Sequence, residues 1–231
     1  MTGYRTQLCV MAGLARGLAI TVLAVGSVLI TTPAGAAMLT FPNNICANIA
    51  TCGDGSFISD TYGDVAGAVD ISYRNLQGNP TLTRLRYWNN DYNDLVGVAW
   101  TDGFDVNSKA EIFIKPLNGK VVTLSAFDLG AFPDSQRTSQ FTILDGDSNL
   151  LFNSGLVTIG VQPGNLHSHF SFTGLTTTNG IRIQWGPSAF NVGIDNINFT
   201  VSLAGDPIPV PVPPAGYLLT AALVMLARRR A

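Results

Sequence analysis

Through most of its length the chain alternates apolar and polar residues with a period of two. In GIRIQW (180–185), for example, single polar residues separate the apolar Ile181, Ile183 and Trp185. Successive side chains of a β-strand point to opposite faces, so this pattern predicts a strand with one buried face. Such runs, or β-rich ones, with turn residues between them, predict strands at 67–74, 82–88, 95–100, 111–115, 120–128, 139–144, 149–153, 168–173, 180–185 and 192–201.

The same region contains no long stretch with apolar residues at helical spacing, so residues 37–205 are predicted to form one all-β domain. Many short strands are typical of a β-sandwich or a barrel. We favour a β-sandwich, and within that class a jelly roll, because a domain of this size needs two sheets to enclose its core. The segment LDGDSNLL (144–151) predicts a hairpin turn at Asp145-Gly146. The alternative, a calcium-binding loop, would require a later Glu that is absent.

The first 36 residues depart from the strand pattern. Arg5 and Arg16 precede thirteen uncharged residues (18–30), and the small residues Ala34 and Ala36 follow. This order is that of a secretory signal peptide, and it predicts cleavage before Ala37 by signal peptidase. Thirteen helical residues reach about 20 Å, short of the roughly 30 Å hydrocarbon core of a bilayer. The alternative, a retained membrane helix, is therefore less favoured.

The last 26 residues (206–231) also differ in composition. A proline-rich segment (208–214) precedes an uncharged apolar stretch (215–227) and a terminal arginine cluster. The order predicts a stiff spacer and a short membrane-inserted helix with its positive end in the cytoplasm. The alternative interpretation is an ordinary tail anchor.

The segment VPVPPAGYLLTAALVMLARRR (210–230) resembles the C-terminal sorting signal of PEP-CTERM proteins, in the subgroup with the motif Val-Pro-Leu-Pro-Ala. The residues that carry the resemblance are Val210, Pro211, Pro213, Pro214, Ala215, Arg228, Arg229 and Arg230. The chain departs from the motif in having Val212 and Pro213 where Leu-Pro is usual. The resemblance implies an exosortase partner in a Gram-negative bacterium that makes exopolysaccharide. It also implies transient anchoring in the inner membrane through the C-terminal helix, with a final location at the cell surface or in the extracellular matrix.

Charge and cysteine content give two further predictions, one on the class of ligand and one on a disulfide. Residues 37–205 contain eight Lys and Arg against 14 Asp and Glu, a net charge of −6, which excludes the basic face that nucleic-acid binding requires. Removal of the signal peptide removes Cys9 and leaves Cys46 and Cys52. A close cysteine pair in an exported chain predicts a disulfide. Metal binding by this pair is the weaker alternative, since both histidines lie more than a hundred positions away.

The domain shows little that is typical of catalysis. It contains no GxSxG motif, and nothing singles out a pair of opposed carboxylates. His167 and His169 alternate within LHSHF and should share a face, where a metal ion could contact both. The alternative is a polar strand face or loop, which the absence of a further nearby ligand favours. We therefore expect a non-catalytic protein.

Asp195 is the one candidate metal ligand in the last predicted strand. The segment GIDNINF (193–199) resembles the final strand of carbohydrate-binding modules with a galactose-binding-like jelly roll. In several of those families an Asp in this strand helps to hold a structural calcium ion, so the resemblance implies calcium at Asp195. The alternation along this strand predicts that Asp195 shares one face with Ile197 and Phe199. The alternative partner for its carboxylate is the backbone of a neighbouring loop.

The segment YWNNDYNDL (87–95) combines aromatic rings with amide and carboxylate side chains, and Trp100 follows closely. Sugars bind through flat aromatic faces and through polar partners for their hydroxyl groups. The candidate glycan-binding residues are Trp88, Asn90, Asp91, Tyr92, Asp94 and Trp100. Tyr92 is the leading candidate and is expected to be exposed; the two tryptophans are alternatively core residues.

These observations predict an exported, non-catalytic protein of the cell surface or extracellular matrix that binds glycan or exopolysaccharide. No cofactor is expected apart from structural calcium. The first alternative is a purely structural surface or matrix protein, and the second is an enzyme that acts on polysaccharide.

Overall fold

The structure is a computed structural model that describes residues 35–77, 84–102 and 107–205. Nearly all of the predicted signal peptide and the whole predicted sorting signal (206–231) lie outside these residues. Within them, no helix has the length and apolar character needed to cross a membrane.

The described residues form an all-β structure, as the alternation predicts. The strands are β1 (Gly35–Leu39), β2 (Val69–Gln77), β3 (Arg86–Trp88), β4 (Val98–Trp100), β5 (Lys109–Pro116), β6 (Lys120–Ala131), β7 (Arg137–Ser139), β8 (Phe141–Asp145), β9 (Leu150–Asn153), β10 (Val157–Ile159), β11 (Ser168–Thr177), β12 (Ile181–Trp185) and β13 (Val192–Leu203). The described pairings are antiparallel and build three sheets. Each of the ten predicted strands overlaps an observed one. Strands β1 and β10 were not predicted, and β7 shares only Ser139 with the strand predicted at 139–144, which corresponds to β8.

The two larger sheets share one hydrophobic core. The first has the order β11-β6-β13-β4-β3, with β1 beside β13, and the second has the order β2-β5-β12-β8-β9. Strands of both sheets contribute apolar side chains to the same cluster, for example Leu129 of β6 and Ile183 of β12. This arrangement is consistent with a β-sandwich. The third sheet is the short pair β7 and β10.

A β-bulge in β13 changes the predicted orientation of Asp195. Asp195 lies opposite Asp128 of β6, but the register shifts before Asn198, and Asn196 has a positive φ of 51°. An extra residue in one strand reverses the alternation beyond it, so the core receives Ile194 before the bulge and Ile197 after it. The prediction that Asp195 shares a face with Ile197 is therefore wrong.

The predicted hairpin turn after β8 is confirmed. Strands β8 and β9 pair on either side of it. The Asp145 carboxylate accepts hydrogen bonds from the backbone N–H groups of Asp147 and Asn149, at 2.9 and 2.8 Å, and from the Asn149 side chain. These bonds lower the pKa of Asp145. Asp145 thus closes the turn with its own side chain.

The predicted disulfide between Cys46 and Cys52 is present. Both cysteines are buried against the main core in a segment without extended strands. Closing so short a loop stabilises the fold by about 2 kcal/mol in the chain-entropy model. Replacing both cysteines with serine should lower the free energy of unfolding by about this amount, as measured by denaturant unfolding. An unchanged unfolding midpoint would contradict a stabilising role for the bridge.

Candidate functional site

The loop 89–97, which contains most of the predicted glycan-binding segment (87–95), lies on the outer face of the first sheet, over a pair of glycines. Gly130 of β6 and Gly193 of β13 are cross-strand partners. A Cβ atom on Gly130 would lie 2.2 Å from the Tyr92 carbonyl oxygen, and one on Gly193 would lie 3.0 Å from the Tyr92 ring. Because neither strand has a side chain here, the loop backbone can approach the sheet closely.

Tyr92 is buried by this approach. Only 2% of its surface is exposed, and its hydroxyl donates a hydrogen bond of 2.7 Å to the Phe190 carbonyl oxygen. Its ring centroid lies 5.3 Å from that of Phe132. The prediction that Tyr92 is exposed is therefore wrong: with no strand pattern around it, the sequence did not reveal the glycine platform that draws it inward.

The two predicted tryptophans join Tyr92 in a small second core. Trp88 and Trp100 contact each other edge to face with centroids 5.5 Å apart, and Trp100 contacts Phe190 in the same manner. The space left between the rings is about 20 Å³. This is room for about one water molecule. Tyr92 of the loop and the tryptophans of β3 and β4 thus stabilise the loop by packing, and the space among them is too small for a sugar.

Asn93, one of the polar residues of the predicted segment, anchors the loop to its neighbours. The Asn93 side chain accepts a hydrogen bond of 2.7 Å from the Ala131 backbone N–H. It donates to the Ser135 carbonyl oxygen and to the side chain of Asn165. The predicted Asn90 and Asp91 are exposed at the tip of the loop.

A cluster of histidines and aspartates lies beside the loop. Asp128 of β6 is buried, and its two carboxylate oxygens lie 2.6 Å from His169 Nδ1 and 3.5 Å from His167 Nε2. The predicted Asp94 contacts the other ring nitrogen of His167 at 2.8 Å and also accepts the His167 backbone N–H. The two histidines therefore share a face, as predicted, and both contact one carboxylate.

The hydrogen bonds within this cluster change the pKa of Asp94. Burial alone would raise the pKa of Asp94, but the hydrogen bonds from the His167 backbone and ring outweigh burial and lower it. Asn196 donates a further hydrogen bond of 2.8 Å to Asp128. The β13 bulge is thus what brings an amide to the buried carboxylate.

Asp195, the candidate calcium ligand, lies next to this cluster. It is 4% exposed, and its carboxylate accepts a 3.3 Å hydrogen bond from the Phe41 backbone N–H. Burial raises the pKa of Asp195 to about 7, against the opposing effect of the hydrogen bonds from Asn196 and Phe41, and the charge of Asp128 raises it further. The Asp195 carboxylate therefore makes the contact expected under the alternative interpretation, a hydrogen bond with the backbone of a neighbouring loop.

The chemistry of the cluster suits hydrogen bonding better than calcium binding. Calcium prefers six to eight oxygen ligands, whereas the oxygens of Asp128 are contacted by imidazole and amide nitrogens. Across the described ranges, no three His, Cys, Asp or Glu side chains form a group that could hold a metal ion. Calcium at Asp195 stays a prediction.

A larger cleft lies on the second sheet, where the sequence had indicated no site. Its volume is about 230 Å³. The lining residues are Lys109, Gln140, Phe141, Thr142, Gln184, Trp185 and Gly186. Thr142 and Gln184 are cross-strand partners on β8 and β12, and both alternate with core residues, so they lie on the face away from the core.

One buried carboxylate organises the floor beside this cleft. Glu111 of β5 accepts hydrogen bonds from Gln184 Nε2 at 2.7 Å and from Arg182 Nη1 at 2.9 Å. The Arg182 guanidinium also stacks on the Phe113 ring, 3.9 Å from its centroid. These contacts hold Gln184 on a rigid part of the sheet, which is the arrangement expected of a prepared binding surface.

The cleft residues come from strands far apart in sequence, which explains why the sequence did not single them out. The available signal was the row of polar residues on the outer faces of three predicted strands, and that pattern is equally typical of a solvated sheet. No known family model matches the chain, and no curated protein matches it.

Proposed function

We propose that the protein is an exported, non-catalytic component of the cell surface or extracellular matrix that binds glycan or exopolysaccharide. On this proposal the domain is a jelly-roll β-sandwich. Signal peptidase and an exosortase process its two ends, with brief inner-membrane anchoring between the two steps. The signal-like N-terminus and the sorting-like C-terminus support the route. The disulfide supports an oxidising destination.

The cleft on the second sheet is the observation that carries glycan binding. A sugar ring presents hydroxyl groups that both donate and accept hydrogen bonds, so it is bound by side chains that do the same. The cleft offers an ammonium group from Lys109, amides from Gln140 and Gln184, and a hydroxyl from Thr142. Its volume of about 230 Å³ is below the roughly 300–1,000 Å³ of pockets that enclose drug-sized ligands. We therefore propose that it takes one sugar unit of a longer chain.

This proposal moves glycan binding from the aromatic loop to the cleft. A glycan array should identify a ligand for the exported protein, and Thr142→Val should weaken its binding about two- to tenfold, since one hydrogen bond contributes about 0.5–1.5 kcal/mol. Lys109→Met should have a similar effect. Ser72→Ala is the matched control, because Ser72 lies on the same face of the sheet but does not line the cleft.

Two outcomes would contradict the proposal. Equal losses in the Ser72→Ala control would show that the cleft is not the site. Absence of binding to any glycan would favour the purely structural alternative.

One observation favours the enzyme alternative. His169 is well exposed, while the buried Asp128 contacts its Nδ1, and a buried carboxylate that orients an exposed imidazole is the arrangement of a general base. Shortening of the bound glycan by the wild-type protein, abolished in His169→Gln, would establish this function. Binding without turnover would support the non-catalytic proposal.

A further inference from the structure

One side of the domain is formed by the outer strands of both large sheets. Strand β9 ends the second sheet and β11 ends the first. Phenyl rings connect the two sheets here: Phe152 of β9 lies 5.5 Å from Phe172 of β11, and Phe141 of β8 lies 4.6 Å from Phe170 of β11, measured between ring centroids. We call this side, bounded by β9 and β11, the open side.

The open side exposes large apolar groups. All four residues of β9 are exposed, with 60% of Leu150 and 38% of Phe152 accessible, and Leu156 in the following loop is 69% accessible. Single exposed leucines are ordinary on protein surfaces, whereas a group of neighbouring apolar side chains on an edge strand marks an interaction surface. The open side therefore has the properties of a surface that binds a partner.

Charge distinguishes the open side from the rest of the domain. Residues 148–181 contain no Asp, Glu, Lys or Arg, and this run includes β9, β10 and β11. The opposite edge of the second sheet, β2, carries the exposed Asp70 and Arg74. Charged residues on an edge strand prevent edge-to-edge association. That protection is present on β2 and missing on β9.

We propose that the open side binds the open side of a second copy of this chain. The domain has a net charge of −6, so two copies repel each other through most of their surfaces and least through this neutral one. A polyanion, a basic protein or an anionic membrane would find no counter-charge here. A neutral apolar surface is complementary to itself, which is what a twofold dimer interface requires.

Side chains carry this contact, and strand pairing contributes little. Phe152 pairs with Ile143 and Leu150 with Leu144, which leaves Leu151 without a cross-strand partner. A bulge of this kind interrupts a regular hydrogen-bonded ladder along the edge. The interface is therefore expected to consist of leucine and phenylalanine side chains, and it goes beyond glycan binding because it concerns association between two copies of the chain.

Sedimentation velocity on the exported protein tests the proposal. From about 1 µM to about 1 mM, the sedimentation coefficient should rise from that of a monomer to that of a dimer. Leu150→Lys should raise the dimer dissociation constant at least about tenfold. Val96→Lys is the matched control, since Val96 is 72% exposed in the 89–97 loop. Leu156→Lys, placed in a loop, serves if the strand variant does not fold.

Salt and vesicles distinguish the occupants of the surface. Higher salt should strengthen the dimer, because it screens the repulsion between acidic copies. A monomer at every concentration would overturn the proposal, as would equal effects of Leu150→Lys and Val96→Lys. Flotation of the monomer with neutral phosphatidylcholine vesicles, lost in Leu150→Lys, would overturn it in favour of a membrane surface.

Discussion

Replacement of Tyr92 by alanine is expected to lower the free energy of unfolding by about 3–5 kcal/mol, the usual cost of removing a large buried aromatic side chain. The ring fills the space between the loop and the paired glycines, and its hydroxyl satisfies the Phe190 carbonyl oxygen. Its loss removes both the packing and the hydrogen bond. Denaturant unfolding followed by circular dichroism measures the change.

Tyr92→Phe separates the two contributions. It keeps the ring and removes only the hydroxyl, so it should cost about 1–3 kcal/mol, mostly from the unsatisfied carbonyl group. Val96→Ala in the same loop should cost little, because Val96 is exposed. A fully stable Tyr92→Ala variant that has lost glycan binding would contradict this account and restore Tyr92 as a sugar platform.

Asp195 is expected to make the fold less stable as the pH rises from about 4 to about 7. The pKa of Asp195 is about 7 in the folded protein against an ordinary 3.8. Between pH 3.8 and about 7 the folded state keeps a proton that the unfolded state has lost. The stabilisation by Asp195 is therefore fully present below pH 3.8 and is lost as the pH rises through the folded-state pKa of about 7. The effect is about 2–4 kcal/mol, since one pKa unit corresponds to about 1.4 kcal/mol.

Asp195→Asn should remove this dependence. The asparagine keeps an oxygen that can accept the Phe41 N–H but carries no charge beside Asp128, so the variant should be more stable than the wild type at pH 8 by about 2–4 kcal/mol. Asp70→Asn, at an exposed position, is the control. The calcium alternative predicts the opposite sign: the variant would be less stable, and a chelator would lower the melting temperature of the wild type alone.

The strands could be predicted because their signal is local. In β12 every second residue belongs to the core. The period-two pattern of 180–185 predicts this from the residues of that strand alone. The Cys46–Cys52 bridge could be predicted for a similar reason, since only one pairing remains once the signal peptide with Cys9 is removed. The turn at Asp145 follows from two adjacent residues.

The site could not be predicted because it depends on what faces each residue across the sheets. The bulge at Asn196 is one extra residue, yet it reverses the orientation of everything after it in β13. The burial of Tyr92 follows from glycines at 130 and 193, which are 63 positions apart and adjacent only in the folded sheet. An exposed loop and a loop packed on a glycine platform have the same local sequence pattern.

The cleft is hidden in the same way. Lys109, Thr142 and Gln184 belong to three strands that are neighbours in the sheet but are separated by more than thirty residues in the chain. Each of them, taken alone, is an ordinary polar residue on the outer face of a strand. Only the sheet order β5-β12-β8 makes them one surface.

The most direct test of glycan binding in the cleft is to map the bound ligand on the protein. Backbone and side-chain NMR signals of the isotope-labelled protein are recorded during titration with the glycan selected on the array. The account predicts that the largest shifts occur at Lys109, Gln140, Thr142 and Gln184, with Ser72 unaffected. Shifts concentrated at Trp88, Asn90 and Asp91 with an unchanged cleft would contradict it.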